Sequence, residues 1–254
     1  MTSKKENKPF QFQQFSVDQR DCGMKITEDA VCFGAWVDLS GCRNVLDIGT
    51  GTGLLSMMLA QRYGDVKFTA IEIDPLAASR AQQNFDSSPW SDRLEVICGD
   101  ALHADIFQRR LNDIWRQMGS KNTSVDALVC NPPFFHKGTD AIDEQRKIAR
   151  DDTNLPFGEL WKKAIAIAKP KKVSLLVSTE RKLEMDIHAQ GQGYALQRCT
   201  LLTGVQGNEA HCAMLEYRLG EDHSSENTEL FVRNEEGEYQ EGYLRLVKGF
   251  YLKR

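Results

Sequence analysis

A glycine-rich loop between a short apolar run and an amphipathic stretch constrains the fold of this chain most strongly. Residues 44–48 have the apolar, β-branched character of a buried strand. Gly49, Gly51 and Gly53 follow, and residues 54–63 then place apolar side chains at helical spacing. A glycine turn between a strand and a helix lets a ligand approach the backbone at the carboxyl edge of a parallel sheet. The first core strand is therefore predicted to end at a ligand site.

The same alternation of strand and helix continues along the chain. Strands are predicted at residues 44–48, 67–73, 94–98, 125–130 and 172–178, with a closing hairpin at 195–202 and 211–219. Helices are predicted at 54–63, 75–87, 105–118, 157–168 and 180–189. After the hairpin come a further short segment at 228–233 and then a helical piece near 243–251. This order is typical of an α/β fold with a doubly wound, mostly parallel sheet, here of seven strands.

The length of 254 residues fits one large domain. We expect residues 1–8 to be disordered and residues 9–254 to form a single domain. Within that domain, residues 9–43 are predicted to be an N-terminal extension packed against the sheet. Residues 44–219 are the ligand-binding core, and residues 220–254 are an acidic loop followed by a helix.

Composition indicates a cytoplasmic protein without a metal. No apolar run reaches the roughly 18 residues of a membrane span. The first residues carry lysines but no apolar core after them, so they do not resemble a secretory signal. The seven cysteines are scattered and form no CxxC pair, which favours reduced thiols and argues against structural zinc.

The charge distribution leaves a nucleic-acid partner open. The net charge is −4, but residues 221–241 contain eight acidic residues and one arginine, a charge of −7, so the remainder of the chain carries +3. Basic clusters occur near residues 4–8, 109–110, 162–163, 169–172 and 181–182. Each cluster alone is typical of a solvated surface, so charge neither establishes nor excludes RNA binding.

Acidic residues are predicted at the ends of three successive strands, on the same edge of the sheet as the glycine loop. Asp47 would repel the pyrophosphate of a nicotinamide dinucleotide but would favour a ligand with an ammonium group, such as S-adenosyl-L-methionine. Glu72 is placed to accept hydrogen bonds from both ribose hydroxyls, and Asp100 from the adenine amino group. The alternative is a glycine turn used only for strand–helix packing, with three surface carboxylates.

The tetrapeptide Asn-Pro-Pro-Phe at residues 131–134 directly follows the fourth predicted core strand. The side-chain oxygen of Asn131 and the backbone carbonyl of Pro132 can accept both N–H bonds of a planar exocyclic amine. These hydrogen bonds strengthen as the nitrogen gains positive charge during methyl transfer, and no strong general base is needed. Phe134 can stack on the base. The alternative is an ordinary turn after a strand, with the aromatic ring in the core.

The loop with Asp47 and the tetrapeptide resemble those of the class I S-adenosylmethionine-dependent N-methyltransferases, whose sheet is Rossmann-like. Residues 24–30 and 34–36 look like the segment that precedes the core in bacterial tRNA1(Val) (adenine(37)-N6)-methyltransferases, and residues 88–90, 145–150 and 250–252 are similar to that family too. The resemblance implies S-adenosyl-L-methionine as cofactor, tRNA as partner, and adenine N6 at position 37 as acceptor. It also places Lys25 and Thr27 at the methionine end of the cofactor, with Asn131 facing both cofactor and base.

Candidate RNA contacts lie after the tetrapeptide, at Phe135, His136, Arg146 and Arg150. The two arginines share one face if their segment is helical, although pairing with nearby aspartates is an equal alternative. The chain departs from many family members in having Phe134 where they have tyrosine, and residues 134–138 are also similar to ribosomal guanine-N2 methyltransferases. The alternatives are therefore guanine-N2 methylation of rRNA, glutamine-N5 methylation of a protein, or a non-catalytic binding module. A monomer is assumed.

Overall fold

An eight-stranded sheet forms the centre of the protein. The computed structural model describes residues 8–20, 22–23, 25–121, 123–132, 157–220 and 225–252, and every statement below concerns these residues. The residues predicted to be disordered lie outside them, except for Lys8. The strands are β1 (Phe10–Gln11), β2 (Ser16–Val17), β3 (Asn44–Ile48), β4 (Lys67–Glu72), β5 (Leu94–Cys98), β6 (Ala127–Cys130), β7 (Lys172–Ser178), β8 (Tyr194–Val205), β9 (Cys212–Leu219) and β10 (Glu226–Arg233).

Helices connect most of these strands, as the sequence predicts. They are α1 (Glu28–Trp36), α2 (Leu54–Arg62), α3 (Pro75–Asp86), α4 (Ala104–Gln117), α6 (Lys182–Gly191) and α7 (Glu241–Val247). Three consecutive helical pieces, Phe157–Glu159, Leu160–Ile165 and Ala166–Ala168, together make α5, and the middle piece is a π-helix. Asp74 caps α3, because its side chain accepts a hydrogen bond from the backbone N–H of Leu76 at 2.9 Å.

The strand order of the large sheet is β10-β8-β9-β7-β6-β3-β4-β5. Strands β3, β4, β5, β6 and β7 pair in parallel, whereas β9 is antiparallel to both of its neighbours. Strand β3 lies between β4 and β6, so the order of the chain reverses at β3. In a doubly wound sheet this switch point opens a crevice at the carboxyl ends of the strands, which is where ligands bind.

Two apolar layers cover the two faces of the sheet, which confirms the doubly wound architecture. One layer contains side chains of the N-terminal extension, α1, α2, α3 and α7, among them Phe33, Met57 and Phe85. The other contains side chains of α4, α5 and α6, among them Trp115 and Trp161. A parallel sheet covered on both faces requires apolar residues on both sides of each strand. Strand β3 is accordingly buried at all of its five positions.

The prediction of seven strands is wrong by one, because the acidic segment contributes an eighth. Strand β10 pairs in parallel with β8, with Glu226 opposite Arg198 and Arg233 opposite Val205. Its first residues are exposed, and Val232 is buried. Charged residues are common on the outermost strand of a sheet because they discourage pairing with another chain. The segment predicted as an acidic loop is therefore in part an edge strand.

The C-terminal segment holds the first turn of α1. The Arg233 guanidinium donates two hydrogen bonds to the Glu28 carboxylate, at 2.9 and 2.7 Å, and the Tyr239 hydroxyl donates a third at 2.8 Å. The N-terminal extension also meets the C-terminus, where the Gln13 backbone N–H donates to the Phe250 carbonyl at 2.8 Å. The extension thus packs against residues of the C-terminus as well as against the sheet layer.

Gly53, where α2 begins, offers a test of how tightly the loop packs. Its φ is +80°, and a Cβ there would stand 2.5 Å from Cε1 of the buried Phe85 ring. Gly41 has a matching φ of +79° and open space around the position of a Cβ. We expect Gly41→Ala to lower the free energy of unfolding by about 1–2 kcal/mol, from the left-handed backbone alone. Gly53→Ala should cost about 1–3 kcal/mol more because of the clash.

Urea unfolding followed by circular dichroism measures both variants under the same conditions. Gly41→Ala serves as the control for the backbone term. Equal losses in the two variants would show that the Phe85 ring moves aside at no cost, and would contradict the predicted packing.

Candidate active site

A cavity that is open to solvent lies at the carboxyl ends of β3, β4 and β6. Each of these strands brings one polar side chain to it: Asp47 from β3, Glu72 from β4 and Asn131 from the residue after β6. The fold therefore joins residues that are 84 positions apart in sequence, as their placement at strand ends predicts. The other lining residues are Cys22, Gly23, Lys25, Ile26, Ala30, Phe33, Gly49, Thr50, Gly51, Thr52, Leu54, Leu55, Ile73, Asp74 and Ala77.

Asp47 is a buried carboxylate that ties the glycine loop to β3 and α2. It is 1% exposed, and the hydroxyls of Thr50 and Ser56 both donate to its Oδ2, each at 2.7 Å. Burial raises the pKa of Asp47 to about 6, and the two hydroxyl hydrogen bonds oppose that rise. A positively charged ligand group beside this carboxylate would offset the cost of its burial.

The glycine loop is held by backbone hydrogen bonds to β4. The N–H groups of Gly49 and Thr50 donate to the Ile71 carbonyl at 2.9 and 3.2 Å. Gly49 and Gly51 have φ of +69° and +56°, and nothing lies within 4 Å of a Cβ built on either residue. The backbone at these two glycines is therefore open to a ligand. Gly53, also predicted to bind the cofactor, packs against Phe85 and is not among the residues that line the cavity.

Glu72 is 8% exposed and fixes the loop from the neighbouring strand. Its Oε2 accepts the Gly51 N–H at 2.8 Å, and its Oε1 accepts the Asp74 N–H at 3.0 Å. Burial raises the pKa of Glu72, and these backbone hydrogen bonds lower it. Each carboxylate oxygen has a second lone pair, so both oxygens remain able to accept a ligand hydroxyl.

Asn131 presents an acceptor without a partner. Its Oδ1 is buried, and no donor among the described residues reaches it. A buried polar atom left unsatisfied costs roughly 1–3 kcal/mol, so a ligand N–H at this oxygen would recover that cost. Pro132 beside it is buried. Phe134 and the predicted RNA contacts Phe135, His136, Arg146 and Arg150 lie outside the described residues.

Two other predicted cofactor residues act as caps in the structure. The Thr27 hydroxyl accepts the Ala30 N–H at 3.2 Å at the start of α1. The Asp100 carboxylate accepts the Leu102 N–H at 2.8 Å, at the start of a short 3₁₀ turn. Neither residue lines the cavity. Lys25 does line it, and its Nζ donates to the Gln19 carbonyl at 3.0 Å.

The apolar walls of the cavity are the part that sequence reasoning missed. Ile73 follows Glu72 directly and is 48% exposed, so its side chain is open to a ligand in the cavity. Phe33 of α1 and Ala77 of α3 also contribute to the apolar lining. The signal for Ile73 was the apolar residue just past the acidic end of a strand. For Phe33 there was none, because helical spacing alone does not say which helix faces a ligand.

The donor set fits S-adenosyl-L-methionine. The buried Asp47 suits a cationic amino acid group, Glu72 suits a diol, and the open glycine backbone and apolar walls suit a nucleoside. The unpartnered Asn131 oxygen then stands where an acceptor amine would be held. The sheet order and this site together define a class I methyltransferase.

Comparisons with known proteins agree. Residues 45–150 match the family model described as "Methyltransferase domain". The chain is 35% identical over 250 residues to the tRNA1(Val) (adenine(37)-N6)-methyltransferase of Vibrio vulnificus strain CMCP6, covering 98% of this chain and 97% of that protein. The protein of the same name from Porphyromonas gingivalis is 33% identical over 250 residues, covering 95% and 94%. This chain belongs to the tRNA1(Val) (adenine(37)-N6)-methyltransferase family.

Solved structures share the fold. A predicted O-methyltransferase from Agrobacterium tumefaciens superposes with a TM-score of 0.60 at 17% identity, covering 87% of this chain and 96% of that one. The TrmK protein of M. capricolum, solved with S-adenosyl-homocysteine, gives a TM-score of 0.51 at 12% identity, covering 80% and 74%. No described helix has both the length and the apolar character needed to cross a membrane. All seven cysteines are free, which agrees with the prediction of reduced thiols, and four of them are buried.

The protonation of Asp47 predicts how cofactor affinity depends on pH. The carboxyl has a pKa of about 6 in the ligand-free protein and must be ionised to pair with an ammonium group. Affinity for S-adenosyl-L-methionine should therefore be constant above about pH 7 and fall by up to about tenfold per pH unit below 6. Isothermal titration calorimetry between pH 5 and 8, corrected for buffer ionisation, measures this dependence.

Asp47→Asn is the matched variant for this measurement. This variant should bind S-adenosyl-L-methionine more weakly at about pH 8, and its affinity should change less with pH. The remaining pH dependence is expected from Glu72, whose pKa is also raised. A flat profile for the unmodified protein from pH 5 to 8 would contradict the assignment of Asp47 to the ammonium group.

Proposed function

We propose that this protein transfers the methyl group of S-adenosyl-L-methionine to the exocyclic N6 of adenine 37 in the anticodon loop of valine tRNA. The observation that carries the proposal is the unpartnered, buried oxygen of Asn131 in the same cavity as Asp47 and Glu72. This cavity belongs to a chain that is about one-third identical, over nearly its full length, to enzymes named for this reaction.

In this proposal Asp47 and Glu72 bind different parts of the cofactor. Asp47 holds the ammonium group, and Glu72 accepts hydrogen bonds from the ribose hydroxyls. Gly49 and Gly51 let the backbone approach the cofactor, and Asn131 faces both cofactor and base. We propose that the cofactor site is completed by four further residues, Lys25, Thr27, Gly53 and Asp100. Thr27 and Asp100 would support it through the caps that they form, and Gly53 through the packing of the loop.

The catalytic chemistry follows from the hydrogen bonds that the tetrapeptide can accept from the N6 amine. The N6 amine is a weak nucleophile because its lone pair is conjugated with the ring. As it attacks the methyl group, its N–H bonds become stronger donors, so hydrogen bonds to Asn131 Oδ1 and the Pro132 carbonyl are worth most in the transition state. Stacking on Phe134 adds roughly 1–3 kcal/mol. Bound S-adenosyl-L-methionine supplies an electrophilic methyl group, and the site supplies the in-line placement of the amine.

The choice of an anticodon-loop adenine is supported by the low free-energy cost of moving that base into the pocket. An anticodon-loop adenine is unpaired, so turning it into a pocket costs less than extruding a base from a duplex. Phe135, His136, Arg146 and Arg150 are proposed to contact the loop. Residues 9–254 are proposed to act as one methyltransferase domain, as a monomer and without a metal. The cytoplasm, where tRNA is found, is the proposed location.

Transfer of a labelled methyl group to unmodified bulk tRNA, with unmodified ribosomal RNA and cellular protein offered alongside, tests the function. Nuclease digestion and mass spectrometry should place N6-methyladenosine at position 37 of valine tRNA. Label only in ribosomal RNA, as N2-methylguanosine, would favour the rRNA alternative, and label in protein would favour glutamine methylation. A folded protein that binds the cofactor and labels nothing would be a binding module.

Asn131→Ala separates catalysis from cofactor binding. We expect kcat to fall at least about 100-fold, because an acceptor that strengthens in the transition state is lost. The Kd for S-adenosyl-L-methionine should change by less than about threefold, since Asp47 and Glu72 remain. Single-turnover methyl transfer and calorimetry measure the two quantities. Asn227→Ala, at an exposed position of β10, is the control. Loss of cofactor binding in Asn131→Ala would mean that Asn131 holds the cofactor rather than the base.

A further inference from the structure

A histidine–aspartate pair lies beside the active site and has no part in the chemistry described so far. His211 Nε2 and Asp29 Oδ1 are 3.1 Å apart, with 44% and 25% of their side chains exposed. Asp29 belongs to the first turn of α1, the helix whose Ala30 and Phe33 line the cofactor cavity. The pair therefore stands between the cavity wall and solvent.

The backbone of His211 is fixed to both neighbouring strands. Its N–H donates to the Leu202 carbonyl of β8 at 3.1 Å, and its carbonyl accepts the Thr179 N–H, just past β7, at 3.3 Å. The Thr179 hydroxyl in turn donates to the Ala210 carbonyl at 3.1 Å. The imidazole is thus presented from a rigid backbone, which is what a precise contact requires.

The sheet register gives the position of His211 relative to Asn131. Strand β7 lies between β6 and β9, so two strand spacings, about 10 Å, separate them across the sheet. Cys130 pairs with Leu175, and Cys212 pairs with Ser178, so β9 begins about 10 Å farther toward the open end. His211 therefore lies on the same rim as Asn131 but beyond it, toward the open end of the sheet.

The charges around the pair leave one donor for a ligand. His211 contacts Asp29 through its Nε2, and no hydrogen bond within the described residues involves its Nδ1. Glu28, the neighbouring acid, is bound by Arg233 and Tyr239. The hydrogen bond to Asp29 raises the pKa of His211, which favours the imidazolium, in which both ring nitrogens are donors. Nδ1–H then offers a charge-assisted hydrogen bond to an anion.

We propose that His211, held by Asp29, binds a backbone phosphate of the RNA substrate beside the target nucleotide. This inference rests on the proposed function, since it assigns the RNA side of the same site. A contact of this kind positions the RNA and carries no sequence information of its own. Its contribution is expected in tRNA binding, and neither the cofactor nor the chemical step should depend on it.

The same residues also offer a metal site as a competing interpretation. One donor atom each from Asp29, His211 and Cys212 lies within 4.8 Å of the others. Metal binding needs the thiolate form of cysteine. Burial raises the pKa of the Cys212 thiol far above its usual range, so the group stays a neutral thiol in the absence of a metal. The phosphate contact needs no such deprotonation, and the test separates the two.

The test measures binding of a fluorescent, unmodified valine tRNA transcript by anisotropy over a range of salt concentrations. For His211→Ala we expect about 3–10-fold weaker binding at low salt and a slope of log affinity against log salt that is smaller by about one. His211→Arg should recover most of the affinity and the slope, and Asp29→Asn should fall between. KM for tRNA should rise in parallel, with kcat and the Kd for S-adenosyl-L-methionine unchanged.

His188→Ala is the matched control, because His188 also lies near a carboxylate, 3.8 Å from Glu184, but on α6. His211→Gln gives a second variant if the alanine variant is unstable. Wild-type affinity and slope in His211→Ala would overturn the inference, as would an arginine variant as impaired as the alanine variant. Activity lost with a chelator and restored by Zn²⁺ would overturn it in favour of the metal. Failure of the unmodified protein to methylate tRNA at all would instead count against the proposed function.

Discussion

The carboxylate of Asp47 is the constraint on which the site depends. It lies on β3, the strand at which the chain order of the sheet reverses, and it is almost fully buried. The hydroxyls of Thr50 and Ser56 converge on one of its oxygens, and these bonds set the glycine loop and the start of α2 relative to the strand. Glu72 raises the pKa of Asp47 further by repulsion. Two neighbouring buried carboxylates without a positively charged partner are costly, and a cationic ligand would offset that cost. The same feature therefore shapes the loop and favours a cationic ligand.

The second half of the chain completes the cavity from outside the cofactor-binding strands. Both acidic residues in the first turn of α1 are bound by residues far along the sequence: Glu28 by Arg233 and Tyr239, and Asp29 by His211. Helix α1 carries Phe33 into the cavity wall, so the contacts made by His211, Arg233 and Tyr239 help to position that wall. This gives the acidic C-terminal segment a structural role: it adds an edge strand and secures a helix that lines the cavity.

Much of the sheet was predictable, because buried parallel strands leave a local signal. The predicted strands at 44–48, 94–98 and 172–178 have the bounds of β3, β5 and β7, and Asp47, Glu72 and Asn131 converge as their places at strand ends require. What failed depended on contacts between distant residues. The edge strand β10 has mostly exposed residues and no continuous apolar run. The cofactor roles of Thr27 and Asp100 stay predictions: both side chains accept a hydrogen bond from a nearby backbone N–H, and neither residue lines the cavity. Nothing in the sequence pairs Phe85 with Gly53.

The chemistry of the site and its choice of substrate are physically separable. In the proposed mechanism two acceptors, Asn131 Oδ1 and a backbone carbonyl, bind the N–H bonds of an exocyclic amine, which adenine and guanine both possess. Such acceptors would accelerate transfer without selecting the base. Discrimination between bases, and between one RNA and another, has to come from groups that meet the rest of the nucleotide and its backbone. Among the described residues, the proposed phosphate contact His211 lies on the rim beyond Asn131, beside the first turn of α1, where it would position the RNA without reading the base. Binding of the cofactor, binding of the amine and choice of the RNA therefore fall to different groups, which is why a shared cofactor site does not by itself name an RNA target.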